Sequence, residues 1–100
     1  MRRGSTPIHT FTLPVDNSII DKLRITYVQQ GEIVLIKTKD DATLAGNTIV
    51  VKLTQVETLK FCANRAVEIQ VEALTSAGDK LQSDIMCVGV DRCLNNEVLE

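Results

Sequence analysis

Between Ala66 and Ala73 the chain changes character at every step, with Val67, Ile69 and Val71 interleaved with Glu68, Gln70 and Glu72. A period of two matches the pleat of a β-strand, whose successive side chains point to opposite faces; a helix would scatter these residues around its axis. The segment predicts a strand with one dry and one wet face. A chain built around it needs a second layer to cover the dry side.

Shorter pieces repeat the pattern. Residues 22–29 put Leu23, Ile25 and Tyr27 on one face and Lys22, Arg24 and Thr26 on the other, and residues 48–53 sort Ile49, Val51 and Leu53 inward. Pro7 and Pro14 bracket a first strand at 8–13. Proline has no N–H to give to a ladder, so the pair marks an edge strand or firm strand ends. Asp16-Asn17-Ser18, Gln30-Gly31, Gly46-Asn47 and Ser76-Ala77-Gly78-Asp79 carry turn chemistry, and 42–44 is a short middle segment. Thr54-Gln55-Val56-Glu57 has the capping-box spacing, in which the threonine hydroxyl accepts from an exposed N–H and the glutamate reaches back. That predicts one helical turn over 55–61, with Leu59 and Phe61 as a plug between two sheets.

Six to seven strands at spacings of about ten residues, with one helical turn, indicate an all-β, two-layer antiparallel sandwich of immunoglobulin-like topology. A small β-barrel is the other reading, since periodicity does not distinguish a closed sheet. An antibody-type domain is excluded by the lack of tryptophan and of the bridging cysteine spacing. The 100 residues make a single domain, 1–100, which at this size buries about 60–65% of its unfolded surface.

Two strands break the alternation. Residues 33–36 and 85–90 are apolar on both faces. In a two-layer sandwich this turns Val34, Ile36, Met86, Val88 and Val90 outward as a partner interface, unless the terminal Leu94, Val98 and Leu99 cover them.

Chemistry is sparse by comparison. His9 is the only histidine and has no nucleophile motif around it. Asp40-Asp41 and Glu68 with Glu72 read as solvated charges, and Asp40, Asp41 and Asn47, the one loop cluster with several oxygen ligands, lack EF-hand spacing. Cys62, Cys87 and Cys93 form no C-x-x-C pair and are expected as free thiols, with no zinc site. A net charge of −2, one tyrosine, two phenylalanines and no glycine-rich phosphate loop argue against nucleic acid, carbohydrate or a small-molecule substrate. Arg2 and Arg3 are expected as a solvated, frayed tip. No apolar run approaches the ~18–20 residues of a membrane span and no signal-type segment follows residues 1–7, so the chain is expected to act where it is made or inside an assembly. No catalytic residue, metal or cofactor is expected.

The segments Arg3-Gly4-Ser5-Thr6-Pro7-Ile8-His9-Thr10-Phe11-Thr12-Leu13-Pro14, Leu23-Arg24-Ile25-Thr26-Tyr27-Val28-Gln29-Gln30, Val51-Lys52-Leu53-Thr54-Gln55-Val56-Glu57-Thr58 and Val90-Asp91-Arg92-Cys93-Leu94-Asn95-Asn96-Glu97-Val98-Leu99 resemble small proteins encoded in phages and prophages of Gram-positive gut bacteria. Those proteins resemble immunoglobulin-like virion components, similar in style to the first domain of upper baseplate proteins. The resemblance implies a non-enzymatic structural protein of head, tail or baseplate that assembles with other virion proteins or itself. It would be found in the host bacterial cytoplasm during assembly and then in the particle. The alternative is a host-directed binding module or small inhibitor that uses the loops 40–47 and 76–80.

Overall fold

The computed structural model describes residues 1–99. Among the described residues eight strands run in the order β1 (Ile8–Thr12), β2 (Ile20–Gln29), β3 (Glu32–Thr38), β4 (Thr43–Ala45), β5 (Thr48–Lys52), β6 (Val67–Thr75), β7 (Lys80–Gln82) and β8 (Met86–Val88), with one α-helical turn, α1 (Gln55–Thr58), between β5 and β6. Every strand pairing is antiparallel. The small sheet has the order β1-β5-β4; the large one has β3-β2-β6, with β7 and β8 both on the far edge of β6.

The alternation predicted for residues 66–73 is present as β6, where Val67, Ile69, Val71 and Ala73 are buried and Glu68 is exposed. Together with Ile25 and Tyr27 from β2, these residues meet Phe11, Ile49 and Val51 of the small sheet in one core. The two packed layers are the expected sandwich. In the immunoglobulin order the second strand lies beside the first and fifth; here β2 lies between β3 and β6 instead.

Local signals hold at the turns. Gln30 and Gly31 both take left-handed backbone (φ 55° and 78°), the geometry that a two-residue hairpin between twisted strands favours. At α1 the capping box forms as expected: the Glu57 N–H donates to Thr54 Oγ1 at 3.2 Å, and the Thr54 N–H donates to Glu57 Oε1 at 2.9 Å. The helical turn is shorter than the expected 55–61, but Phe61 still plugs the core at 1% exposure and packs against Tyr27.

The amino terminus is docked rather than frayed. The Met1 ammonium donates to the Gly89 carbonyl at 2.7 Å, and the Arg3 guanidinium donates to the carbonyls of Phe61 and Leu59 and to Asn96 Oδ1. Arg3 thus satisfies the carbonyl of Leu59, the C-cap of α1, and that of Phe61 just beyond it, which composition alone does not reveal.

Candidate functional site

The strand register fixes what each strand of the large sheet shows to its outer face. One row across the sheet is Ile33, Val28, Glu68 and Cys87; the next is Ile36, Thr26 and Gln70; a third is Thr38, Arg24, Glu72 and Gln82. The face is divided. Its β3 side carries Ile33 at 63% exposure and Ile36 at 45%, with half-buried Val28 beside them. Its β7 side is a charge cluster, where Glu72 accepts from Arg24 at 2.9 Å and pairs with Lys80 at 2.9 Å. Those two cations hold the Glu72 carboxyl down at about 2.

The five residues expected to face outward are placed differently from one another. Ile36 lies on the outer face. Val34 is the extra residue of a β-bulge, since Tyr27 faces Leu35 while Val28 faces Ile33; it is half-buried and packs against the core. The bulge also reverses the parity below it, and Ile33, expected inward, comes out in place of Val34.

For Met86, Val88 and Val90 the expected orientation is corrected. Glu72 faces Gln82 and Ile69 faces Met86, so three residues, Ser83, Asp84 and Ile85, lie opposite two, Gln70 and Val71. β7 and β8 are thus one strand broken by a bulge. Ser83 seals the break: its N–H donates to the Val71 carbonyl at 2.9 Å, and its Oγ accepts from the Val71 N–H at 2.9 Å. One inserted residue flips every side chain beyond it. Met86 and Val88 therefore oppose the inward Ile69 and Val67 and pack on the core, Val90 is buried at 3% exposure, and Cys87 and Ile85 are exposed. The terminal cover does not form either, because Leu94 is 93% and Leu99 85% exposed.

β3 balances its outward isoleucines with an inward charge. Lys37 lies opposite buried Ile25 and is itself buried, and its ammonium forms an ion pair with Glu57, the capping-box residue of α1. Burial pushes the Glu57 carboxyl up, but the bonds from Lys37 and Thr54 outweigh it and leave Glu57 below its ordinary value. The sequence signal for the outward Val28 is its parity with Lys22, Arg24 and Thr26. Ile33 has no such signal, because the Val34 bulge that turns it outward cannot be read from composition, whereas the inward Lys37 simply keeps parity with Leu35.

The remaining polar groups serve the fold. His9 Nδ1 lies 2.7 Å from the buried Tyr27 hydroxyl, with the rings stacked at 5.7 Å. Burial, aided by Glu57, drives the Tyr27 hydroxyl far above its ordinary range, while burial and the amino-terminal charge hold His9 below 6.5. Asp41 in the 40–47 loop accepts from the Thr38 N–H and hydroxyl at 3.0 and 3.1 Å, and is committed to capping a short 3-10 turn. Among the described residues no three His, Cys, Asp or Glu side chains converge as a metal site, and no helix is long and apolar enough to cross a membrane. The chain matches no family model, no curated protein and no solved structure.

Proposed function

We propose that this chain is a non-enzymatic assembly module that docks through the apolar side of its large sheet, and that the assembly is a phage particle. The observation that carries the docking surface is the inversion of β3, an edge strand with its charge turned inward at Lys37 and its isoleucines turned outward at Ile33 and Ile36. An exposed apolar cluster gains about 25 cal/mol per Å² on being covered, before the costs of association, and a polar rim such as Arg24, Glu72 and Lys80 suits the boundary of such a contact. The phage context rests on the sequence resemblance alone. It places the module in the host cytoplasm during assembly and then in the head, tail or baseplate.

The test is to induce the prophage of the source strain, purify the particles and search them for this chain by mass spectrometry. Incorporation of the wild type and exclusion of a folded Ile33→Asp/Ile36→Asp variant is the expected outcome. A chain that stays in the lysate supernatant overturns the virion reading. Equal incorporation of the variant overturns the docking surface.

A further inference from the structure

The small sheet has a second surface of a different kind, the free edge of β1. Leu13 donates to the Asn47 carbonyl and Leu53 to the Pro7 carbonyl, at opposite ends of the β1–β5 register. Antiparallel bonding alternates between them, so His9 and Phe11 bond β5, while the N–H and C=O groups of Ile8, Thr10 and Thr12 point away from it. No strand among the described residues takes them up. The three side chains are exposed as well.

Sheet edges invite further pairing unless they are blunted by bulges, charges or short length. β4 has three residues, β3 is bulged at Val34 and carries Glu32 and Lys37, and β7–β8 is broken at Ser83 to Ile85. β1 has none of these guards. It is five residues long, regular in register, and free of Asp, Glu, Lys and Arg.

We infer that β1 pairs with β1 of a second copy, antiparallel about a two-fold axis through Thr10, to make one continuous six-stranded sheet in the order β4-β5-β1-β1-β5-β4. The occupant follows from self-complementarity. The outward backbone groups sit symmetrically about Thr10, so this register sets Ile8 against the partner's Thr12, Thr10 against the partner's Thr10 and Thr12 against the partner's Ile8, with each pair exchanging two hydrogen bonds. No like charges meet, and Thr–Thr and β-branched pairs are favourable cross-strand neighbours. Beside this edge an apolar cleft of about 250 Å³ opens between the sheets, lined by Phe11, Leu13, Val71, Ala73, Leu81 and Met86. The same register brings the partner's Pro7 alongside Leu13 at its mouth. This deepens the assembly reading by naming a second copy as a partner, on a surface separate from Ile33 and Ile36.

Sedimentation velocity of the full chain over a concentration series tests it. The wild type is expected to show a reversible dimer. Thr10→Pro removes an N–H that faces away from β5, so it should leave the fold intact by circular dichroism and weaken the dimer by about 100-fold or more. Thr10→Lys, which sets two ammonium groups against each other across the axis, should do the same and decides the matter if the proline variant does not fold. Ile36→Asp should leave the dimer unchanged. A wild type that stays monomeric up to about 1 mM overturns the inference and leaves the edge to a strand from another protein. A dimer that survives both Thr10 variants but is lost in Ile36→Asp also overturns it, and moves self-association to the large sheet while keeping the docking surface.

Discussion

The two flanks of the large sheet begin as equivalent sequences and end as opposites. β3 and β7–β8 lie on its two edges, each contains an apolar run without alternation, at 33–36 and 85–88, and each contains a one-residue bulge. In β7–β8 the bulge turns Met86 and Val88 into the core and leaves the charge of Lys80 outside, paired with Glu72. In β3 the charge is inside, at Lys37 against Glu57, and Ile33 and Ile36 are outside. The lesson is that a continuous apolar run fixes neither face. Where the extra residue is inserted decides which side chains meet the core and which remain for a partner.

The sharpest way to break this contrast is to place the same charge on both flanks. Val88→Asp puts a carboxylate against Val67 in the core and should cost about 3 kcal/mol or more, whereas Ile36→Asp, on the solvated face, should cost no more than about 0.5–1 kcal/mol. Urea unfolding of both variants measures the difference. Equal costs would mean that β8 does not face inward.

The inward charge of β3 supplies the next largest effect. Glu57→Gln leaves the Lys37 ammonium buried without its counter-charge, and breaking such a pair costs several kcal/mol when it is fully dry. Both side chains retain some solvent, at 11% and 17% exposure, so about 2 kcal/mol is expected. Lys37→Met added to Glu57→Gln should recover most of the loss, since an apolar side chain suits the space between Ile25 and α1. Failure of that rescue would show that the loss does not come from the unpaired Lys37 ammonium, since glutamine keeps the oxygen that caps the Thr54 N–H.

Acid distinguishes the flanks more gently. Glu72 drops from 4.5 to about 2 on folding, chiefly through its bonds to Arg24 and Lys80, and Glu57 also lies below its ordinary value. The folded carboxylates hold fewer protons than the unfolded ones, so their stabilisation is complete above about pH 4.5 and fades as pH falls toward 2. His9 acts in the same direction from 6.5 downward, because its folded imidazole resists the proton that the unfolded one accepts. Stability followed from pH 7 to 2 should fall monotonically. Salt should weaken the Glu72 contribution, whose partners Arg24 and Lys80 are exposed, more than that of the shielded Lys37–Glu57 pair.

These contrasts also mark how far the sequence could be read. The inward faces of β2, β5 and β6 follow directly from alternation, and the Thr54 cap and the Gln30-Gly31 turn from local chemistry. Such signals depend on neighbours in the chain. The inward Lys37 and the docked Arg3 answer to partners far along the chain, 20 residues for the Lys37–Glu57 pair and 58 for the Arg3 bond to Phe61, and the two bulges are set by how neighbouring strands pair. An unbroken apolar run cannot report a parity change within itself, so Met86, Val88 and Val90 were expected on the wrong face. For the same reason, of the expected interface residues only Ile36 is on the apolar corner, where Ile33 replaces Val34.

The smallest effect on stability carries the most about function. Ile33→Thr with Ile36→Thr keeps β-branched side chains on β3, so strand propensity and the register set at Val34 should be retained and stability should change by no more than about 0.5 kcal/mol. What the double variant removes is apolar area on the outer face and nothing from the core, because both side chains lie on the solvent side of Leu35. Binding of an apolar fluorescent dye should therefore fall while the urea midpoint stays in place. The matching pair on the other flank, Met86→Thr with Val88→Thr, should lower the midpoint and raise dye binding by loosening the core. If the two variants behaved alike, the flanks would not be opposites, and the exposed isoleucines would be part of the fold rather than a surface held for a partner.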